Sequence, residues 1–408
     1  MKILHTSDWH LGKRLEDFSR LEEQQAVLHE ICQIADKIKA DAILVSGDLF
    51  DTFNPPSEAV DLLYKTLKKL TNGGRRPVIA IAGNHDSPDR IEAPDPLARE
   101  CGIIFVGYPH SIVPEFELET GLKVINSDKG FVELQLPGIT APLRILSTPY
   151  ANEYRLKTFL GIEDSEKELR KILQENWQNI ADKYCDEKGV NILVSHLFMV
   201  KKGEPLPEEP EDEKPILHVG GAQAIYSENI PKQIQYTALG HLHRMHSVDT
   251  NPCPIYYSGS PLPYSFSEAN QKKYVLDIEV TPGSKASVNQ IELTQLKPLL
   301  RKRAIGVEDA INWLLENQNA LVELILVTDT FLTAKERRKI NKAHNNIVSI
   351  IPEVTNMEDL TGCPPSSINL SQSMQDLFSE YFLHEKGQDP NKEIMDLFNE
   401  ILSEEEEK

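Results

Sequence analysis

The sequence predicts an α/β protein with one large domain over residues 1–295, a small α/β module over 296–354, a linker over 355–370 and a helix pair over 371–408. Three observations predict it. Short β-branched runs alternate with helical stripes from Met1 to about Tyr150, the signature of a parallel sheet with helical crossovers. Five apolar runs end in polar clusters: Asp8-Trp9-His10, Gly47-Asp48, Gly83-Asn84-His85-Asp86, Ser195-His196 and Gly240-His241-Leu242-His243. The strand–helix alternation restarts on a smaller scale after Lys297. Because open α/β sheets keep their ligand sites at the carboxyl ends of strands, the five clusters are expected along one rim of one sheet.

The first strand, Ile3 to Thr6, is followed by a helix with apolar positions Leu21, Leu28, Ile31, Ala35 and Ile38. The second, Ala42 to Ser46, is followed by one with Val60, Leu63, Leu67 and Leu70, and Val78 to Ala82 is the third strand. Phe131 to Leu136 and Leu143 to Ser147, parted by Pro137-Gly138, read as antiparallel sheet. A long helix covers about Ser165 to Tyr184, with Leu169, Ile172, Leu173 and Ile180 inward. Val190 to Val194 and Gln235 to Leu239 lead into two of the clusters, and Ile255 to Ser258, Tyr274 to Val280 and Ala286 to Leu293 close the large domain. Between Gly203 and Pro215, Glu204, Glu208, Glu209, Glu211, Asp212 and Glu213 lie among prolines. Such a stretch buries too little apolar surface to offset its ordering entropy and reads as a mobile solvated loop.

In the small module, Leu299 to Ile305, Val307 to Leu315, Leu321 to Val327, Thr333 to His344 and Ile347 to Ile351 alternate strand and helix, with Thr333 and Glu336 as a capping box. In the tail, Met374, Leu377, Phe378, Tyr381 and Phe382 form one helical stripe, and Ile394, Leu397, Phe398, Ile401 and Leu402 repeat its spacing. Ser373 with Asp376 starts the first helix, Gly387 stops it, and Asp389-Pro390 starts the second. So aromatic a stripe needs a cover, and the Pro-rich linker before it favours a partner over the chain's own body.

The chain carries 63 acidic against 43 basic residues, a net charge of −20. That argues against nucleic-acid binding through bulk positive charge. It leaves room for a DNA enzyme whose basic groups are local and whose bound cations are the largest positive charges in the site. Cys32, Cys101, Cys185, Cys253 and Cys363 are scattered and lack C-x-x-C spacing, which argues for reduced thiols in a cytoplasmic protein rather than a zinc–thiolate site. No apolar run reaches ~18 residues and only Lys2 separates Met1 from the first strand, so neither a membrane span nor a signal peptide is expected.

Taken singly, a D-x-H or H-x-H is common, and a lone strand-end histidine is more often structural than a ligand. Together, Asp8 and Asp48 offer carboxylates, Asn84 an amide oxygen, and His10, His196, His241 and His243 imidazoles. This mixed oxygen and nitrogen set suits Mn²⁺, Fe or Zn²⁺ better than Mg²⁺. Seven donors are too many for one ion and fit two, which in two-metal sites lie ~3.5–4 Å apart across a shared carboxylate. Asp48, alone in its cluster, is the natural bridge. On an extended chain, alternation places both side chains of each D-x-H and H-x-H on one face, with Trp9 and Leu242 pointing away. Two such ions clamp a phosphoryl group and acidify a water for in-line attack. The leaving oxygen then needs an acid; His85, beside a ligand but outside the full set, is the candidate, with Asp86 to orient it.

The five motifs, in this order, resemble those of the calcineurin-like metallophosphoesterases. Within that superfamily, His5-Thr6-Ser7-Asp8-Trp9-His10-Leu11-Gly12, Gly47-Asp48-Leu49-Phe50-Asp51 and Tyr257-Ser258-Gly259-Ser260-Pro261 resemble the SbcD-type nuclease subunits of bacterial DNA repair complexes. The likeness continues through the small module into the paired helices. It implies a four-layered α/β fold, with two mixed sheets flanked by helices, a small capping module and a terminal helix pair. It implies Mn²⁺-dependent cleavage of DNA phosphodiesters, exonucleolytic on duplex ends and endonucleolytic on hairpins and single strands. It further implies a homodimer formed partly by the helix near Val60 to Leu70, within a heterotetramer. The terminal helices would grip an SbcC-like ATPase through Met374, Leu377, Phe378, Tyr381, Phe382, Ile394, Leu397, Phe398 and Ile401.

Carried over residue by residue, the resemblance gives one ion to Asp8, His10, Asp48 and His243 and the other to Asp48, Asn84, His196 and His241, with His85 as catalytic acid. Asp51 stands where archaeal and eukaryotic relatives place a second active-site histidine, so no such role passes to it. Lys13, Arg14, Arg20, Arg90, Lys201, Lys202 and Arg244 lie near the metal motifs and are the candidates for DNA contact. Two other readings stay open on sequence grounds: a phosphatase or cyclic-nucleotide phosphodiesterase on the same scaffold, since fold and metals do not fix the substrate, and a non-catalytic scaffold subunit.

Overall fold

The computed structural model describes residues 1–157, 165–204, 224–329 and 332–354, with isolated positions between 375 and 398. Two sheets form the large domain. In the first, the strand order is Ser287–Glu292, Tyr274–Glu279, Lys2–Thr6, Ala42–Val45, Val78–Ile81 and Ile103–Val106. The last four run parallel, and Tyr274–Glu279 joins them antiparallel along Lys2–Thr6. In the second, the order is His246–Asp249, Ile255–Tyr257, Tyr236–Leu239, Val190–Ser195, Leu143–Thr148, Phe131–Gln135 and Lys123–Asp128. Its central four are parallel, and the expected antiparallel pairing of Phe131–Gln135 with Leu143–Thr148 is present.

The apolar runs are continuous because both faces of these strands are covered. Ile3, Leu44, Ile79, Ile81, Ile145, Ile192, Val194, Tyr236 and Ile278 meet in one cluster between the sheets. On the outer face of the first sheet, Leu4, Ile43, Val45 and Ala80 pack against the helices Leu21–Lys37 and Ser57–Leu70 through Leu28, Ile31, Leu63 and Leu67. On the outer face of the second, Leu146, Leu193 and Ile255 pack against the helix Ser165–Tyr184 through Leu169, Leu173 and Trp177. The layers are therefore helix, sheet, sheet, helix. The expectation of one sheet rim bearing all five clusters is corrected. Asp8, Asp48 and Asn84 follow strands of the first sheet, and His196, His241 and His243 follow strands of the second. Short apolar runs show how many strands exist, not which sheet each joins.

The small module has a three-stranded sheet in the order Leu299–Ile305, Leu321–Thr328, Ile347–Val354, with helices Gly306–Glu316 and Ala334–Ala343. Leu299 and Leu321 pack with Leu15 and Phe266 of the large domain. Compact contacts group residues 1–326 and 334–351 into one unit, and residues 327–333 and 352–408 into another. Within the latter, Phe378 stacks on Phe398 with ring centroids 4.0 Å apart, and Phe382 lies 5.9 Å from Phe378, so the two apolar stripes meet. Met374, Leu397, Ile401 and Leu402, the linker 355–370 and most of the acidic loop, 205–215, lie outside the described residues. No helix among the described residues is long and apolar enough to cross a membrane.

Candidate metal centre

The site lies where loops from the two sheets meet. Strand Lys2–Thr6 has ended before Asp8, and Asp8, His10 and Asp48 all adopt left-handed backbone, with φ of 53°, 44° and 48°. Strand alternation is thus not what aims Asp8 and His10; a left-handed turn does, at a local cost that surrounding bonds must offset. They do so in pairs: the amides of Asp8, His10 and Leu11 donate to the carbonyls of Gly47, Asp48 and Leu49, each at 3.0 Å. Trp9 and Leu242, expected to point away from the site, pack in the apolar clusters on the outer faces of the first and second sheets.

Two glycines are required by close approach. A Cβ on Gly83 would lie 2.1 Å from Asp48 Oδ1, and one on Gly47, at φ +92°, would lie 2.2 Å from His196 Nδ1. Without side chains at these positions, the Asn84 loop and the His196 ring both close onto Asp48.

All seven expected donors converge. Asp8, His10 and His243 form one group, with His10 Nε2 3.0 Å from His243 Nε2. Asn84, His196 and His241 form another, Asn84 Oδ1 lying 3.0 Å from both His196 Nε2 and His241 Nδ1. Asp48 reaches each: its Oδ2 is 3.5 Å from His10 Nε2 and 3.2 Å from His196 Nε2. Its Oδ1 accepts the His85 amide at 2.9 Å, and Asp8 Oδ1 accepts the His241 amide at 2.9 Å.

The electrostatics call for positive charge. Burial pulls the His196 imidazolium down, but the Asp48 and Asp8 carboxylates outweigh it and push the group up to about 9. His10 and His241 lack that compensation to the same degree, and burial lowers them to about 4 and about 3, leaving neutral rings. Tautomers follow from partners. His196 Nδ1 faces the Ser46 carbonyl at 2.7 Å, which only accepts, so Nδ1 carries a proton; a second proton on Nε2 faces Asp48 and Asn84 and is the one a bound cation would displace. Imidazoles from both sheets, two carboxylates and an amide oxygen facing one another, with a positive charge already drawn onto His196, fit a pair of divalent cations.

His85 is half-buried beside His10, ring centroids 4.9 Å apart. The expected partnership with Asp86 is corrected. His85 Nδ1 donates to the Asp51 carbonyl at 2.9 Å, while the buried Asp86 carboxylate accepts the amides of Gly83, Leu49 and Phe50 at 2.8–3.0 Å. Asp86 therefore ties two loops together. Burial, with Asp48 nearby, still pushes it up to about 6.

Among the candidate DNA cations, Arg20 is excluded: it is buried and bonded to Glu23 and the Pro263 carbonyl. Lys13 Nζ lies 2.9 Å from Asp51, beside the site; Arg14, Arg90, Lys201, Lys202 and Arg244 are exposed. Sequence reading missed Arg155, a buried guanidinium donating to the carbonyls of Gly83 and Asp86 at 2.7 and 2.8 Å, and the pair Glu268–Lys273 behind His243. Neither carries a local motif.

Fold and donor set together are those of a dinuclear-metal phosphoesterase. Residues 1–245 match the calcineurin-like phosphoesterase family. The chain is 34% identical over 99% of its length, and 98% of the relative's, to the SbcD subunit of the SbcCD nuclease of Bacillus subtilis. It is 31% identical to the same subunit from Rhodobacter capsulatus over 75% of this chain and 72% of the relative, and 32% identical to that from Staphylococcus epidermidis over 68% and 66%. The chain belongs to the calcineurin-like phosphoesterases and, within them, to the SbcD family.

Proposed function

We propose that this protein is the metal-dependent nuclease subunit of an SbcCD-type complex, hydrolysing DNA phosphodiesters under the control of an SbcC-like ATPase. One observation carries the reading: Asp8, His10 and His243 on one side and Asn84, His196 and His241 on the other close around Asp48, in a chain that aligns end to end with a nuclease subunit. Two Mn²⁺ ions would be held by Asp8, His10, Asp48 and His243, and by Asp48, Asn84, His196 and His241. When bound, the ions supply Lewis-acid polarisation of phosphoryl oxygens and an acidified water.

The chain's own residues do the rest. The Asp48 carboxylate is fixed by the His85 amide, and His196 by the Ser46 carbonyl. His85 keeps one proton on Nδ1 against the Asp51 carbonyl, so the proton for the leaving 3′ or 5′ oxygen is the one on Nε2. Lys13, Arg14, Arg90, Lys201, Lys202 and Arg244 are the cations available to DNA phosphates. The meeting of the tail stripes at Phe378 and Phe398 supports a helix pair that docks on the ATPase. A homodimer through Ser57–Leu70, a heterotetramer with the ATPase, exonuclease action on duplex ends, endonuclease action on hairpins and single strands, and a cytoplasmic site of action complete the proposal.

The test compares hairpin DNA with a small aryl phosphodiester, with Mn²⁺, with and without the ATPase. Cleavage of DNA that the ATPase stimulates is the expected result. Hydrolysis of the small ester with no cleavage of any DNA, even with the ATPase present, would replace this reading with that of a phosphatase.

A further inference from the structure

We infer that the buried ion pair Glu268–Lys273 is the positioning device for His243, the glutamate setting its charge opposite the ring and the lysine bonding its backbone. The inference rests on the reading of His243 as a metal ligand. Glu268 is 3% exposed and Lys273 2%. Lys273 Nζ donates to Glu268 Oε1, to Ser260 Oγ at 2.9 Å and to the His243 carbonyl at 3.1 Å. The other carboxylate oxygen, Glu268 Oε2, accepts the Tyr264 amide at 2.7 Å and lies 3.7 Å from His243 Nδ1. The opposite ring nitrogen, Nε2, faces His10 Nε2 at 3.0 Å. One nitrogen thus points at the carboxylate and the other into the metal group.

The placement in the fold explains why such a device is needed. His243 follows Tyr236–Leu239, a strand of the second sheet, whereas its partners Asp8 and His10 follow Lys2–Thr6 of the first. Lys273 directly precedes Tyr274–Glu279, which pairs along Lys2–Thr6. The pair therefore pins a ligand from one sheet to the strand next to its co-ligands. The 3₁₀ turn Phe266–Glu268 is itself anchored, since Phe266 packs with Leu15, Leu299 and Leu321.

Stability alone does not account for the pair. Apolar residues of like volume generally serve as well in a core as a buried ion pair, because desolvation offsets the attraction. A carboxylate facing a metal-binding histidine does what an apolar residue cannot: at 3.7 Å, beyond hydrogen-bond length, its charge favours the proton on Nδ1 and so leaves the Nε2 lone pair for the cation. Lys273 neutralises that carboxylate, so the centre gains orientation without a further negative charge.

The test uses the full chain, Mn²⁺ titration with calorimetric and EPR readouts, and ¹⁵N NMR of the histidines in the metal-free protein. In Glu268→Leu/Lys273→Met, the metal-free protein still folds, at a melting temperature lowered by the unpaired Tyr264 amide, while affinity at one of two Mn²⁺ sites falls ~10–100-fold and the other is retained, and His243 loses its single Nδ1–H tautomer. Should that variant not fold, Glu268→Gln, which retains an acceptor for Lys273, is read the same way and shows a smaller loss at the same site. Unchanged Mn²⁺ affinity and an unchanged His243 tautomer in the folded variant would overturn the inference. Wild-type protein binding fewer than two Mn²⁺ would instead overturn the dinuclear reading beneath it.

Discussion

Asp8, His10 and Asp48 descend from the first sheet on loops zipped together backbone to backbone, whereas His196, His241 and His243 descend from the second and reach across to atoms of the first. His196 is held by the Ser46 carbonyl, His241 by the Asp8 carboxylate and His243 by a pair next to the strand Tyr274–Glu279. On the proposed assignment, the first half supplies oxygen donors and one imidazole on loops bonded to one another, and the second half supplies nitrogens held by atoms of the first. The first sheet would then be the template of the centre, and damage there would reach both proposed metals.

The largest effect is expected at the residue that both halves share. Asp48→Asn should lower DNA cleavage by ~10³-fold or more and reduce Mn²⁺ stoichiometry, because the carboxylate proposed as the bridge would serve both ions. Loss of a single ion with the other's affinity intact would undo this contrast between the halves. His85→Ala should lower kcat by ~10²–10⁴-fold while Mn²⁺ and DNA still bind, as expected for a proton donor; loss of metal would make the ring a ligand.

Arg155→Met leaves the buried carbonyls of Gly83 and Asp86 without their donor, a cost of ~1–3 kcal/mol in metal-free stability measured by denaturant unfolding. Its Mn²⁺ defect should fall on the ion bound by Asn84, which a two-site titration resolves. Equal weakening of both ions would show that the Gly83–Asp86 loop supports the whole centre.

The smallest effect concerns the seam between the sheets, where His5 Nδ1 meets Tyr236 Oη at 2.8 Å. Burial pulls His5 from 6.5 to about 3, so between those values the unfolded chain holds a proton that the folded one does not. Stability then rises with pH across this window and is lost as pH falls from 6.5 towards 3. From pH 7 to 5 the His5 contribution should decline by up to ~2 kcal/mol, and His5→Gln should flatten that part of the curve. Identical slopes in wild type and variant would remove His5 from the seam's pH dependence.

Much of this was legible in the residues. The five strand-end clusters, and the seven side chains that converge around Asp48, follow from composition and spacing, because a candidate donor must be of a ligating type wherever it stands. The helix Ser165–Tyr184 and the small module follow from periodicity. What was not legible was partnership at long range. Alternation predicted the right convergence of Asp8 and His10 for the wrong reason, since left-handed turns leave no periodic trace. Arg20 read as a surface cation until Pro263, far along the chain, accepted from it. Asp86 read as a partner of its neighbour His85 but serves the amides of Leu49 and Phe50. Arg155, Glu268 and Lys273 act through carbonyls and rings that only folding brings near.

The function proposed for this chain turns on a pair of ions bridged by Asp48, and EPR of the Mn²⁺-loaded protein probes that bridge without recourse to activity. Two Mn²⁺ per chain are predicted, ~3.5–4 Å apart and exchange-coupled, with the coupling abolished in Asp48→Asn. A single ion per chain, or two magnetically isolated ions, would contradict it.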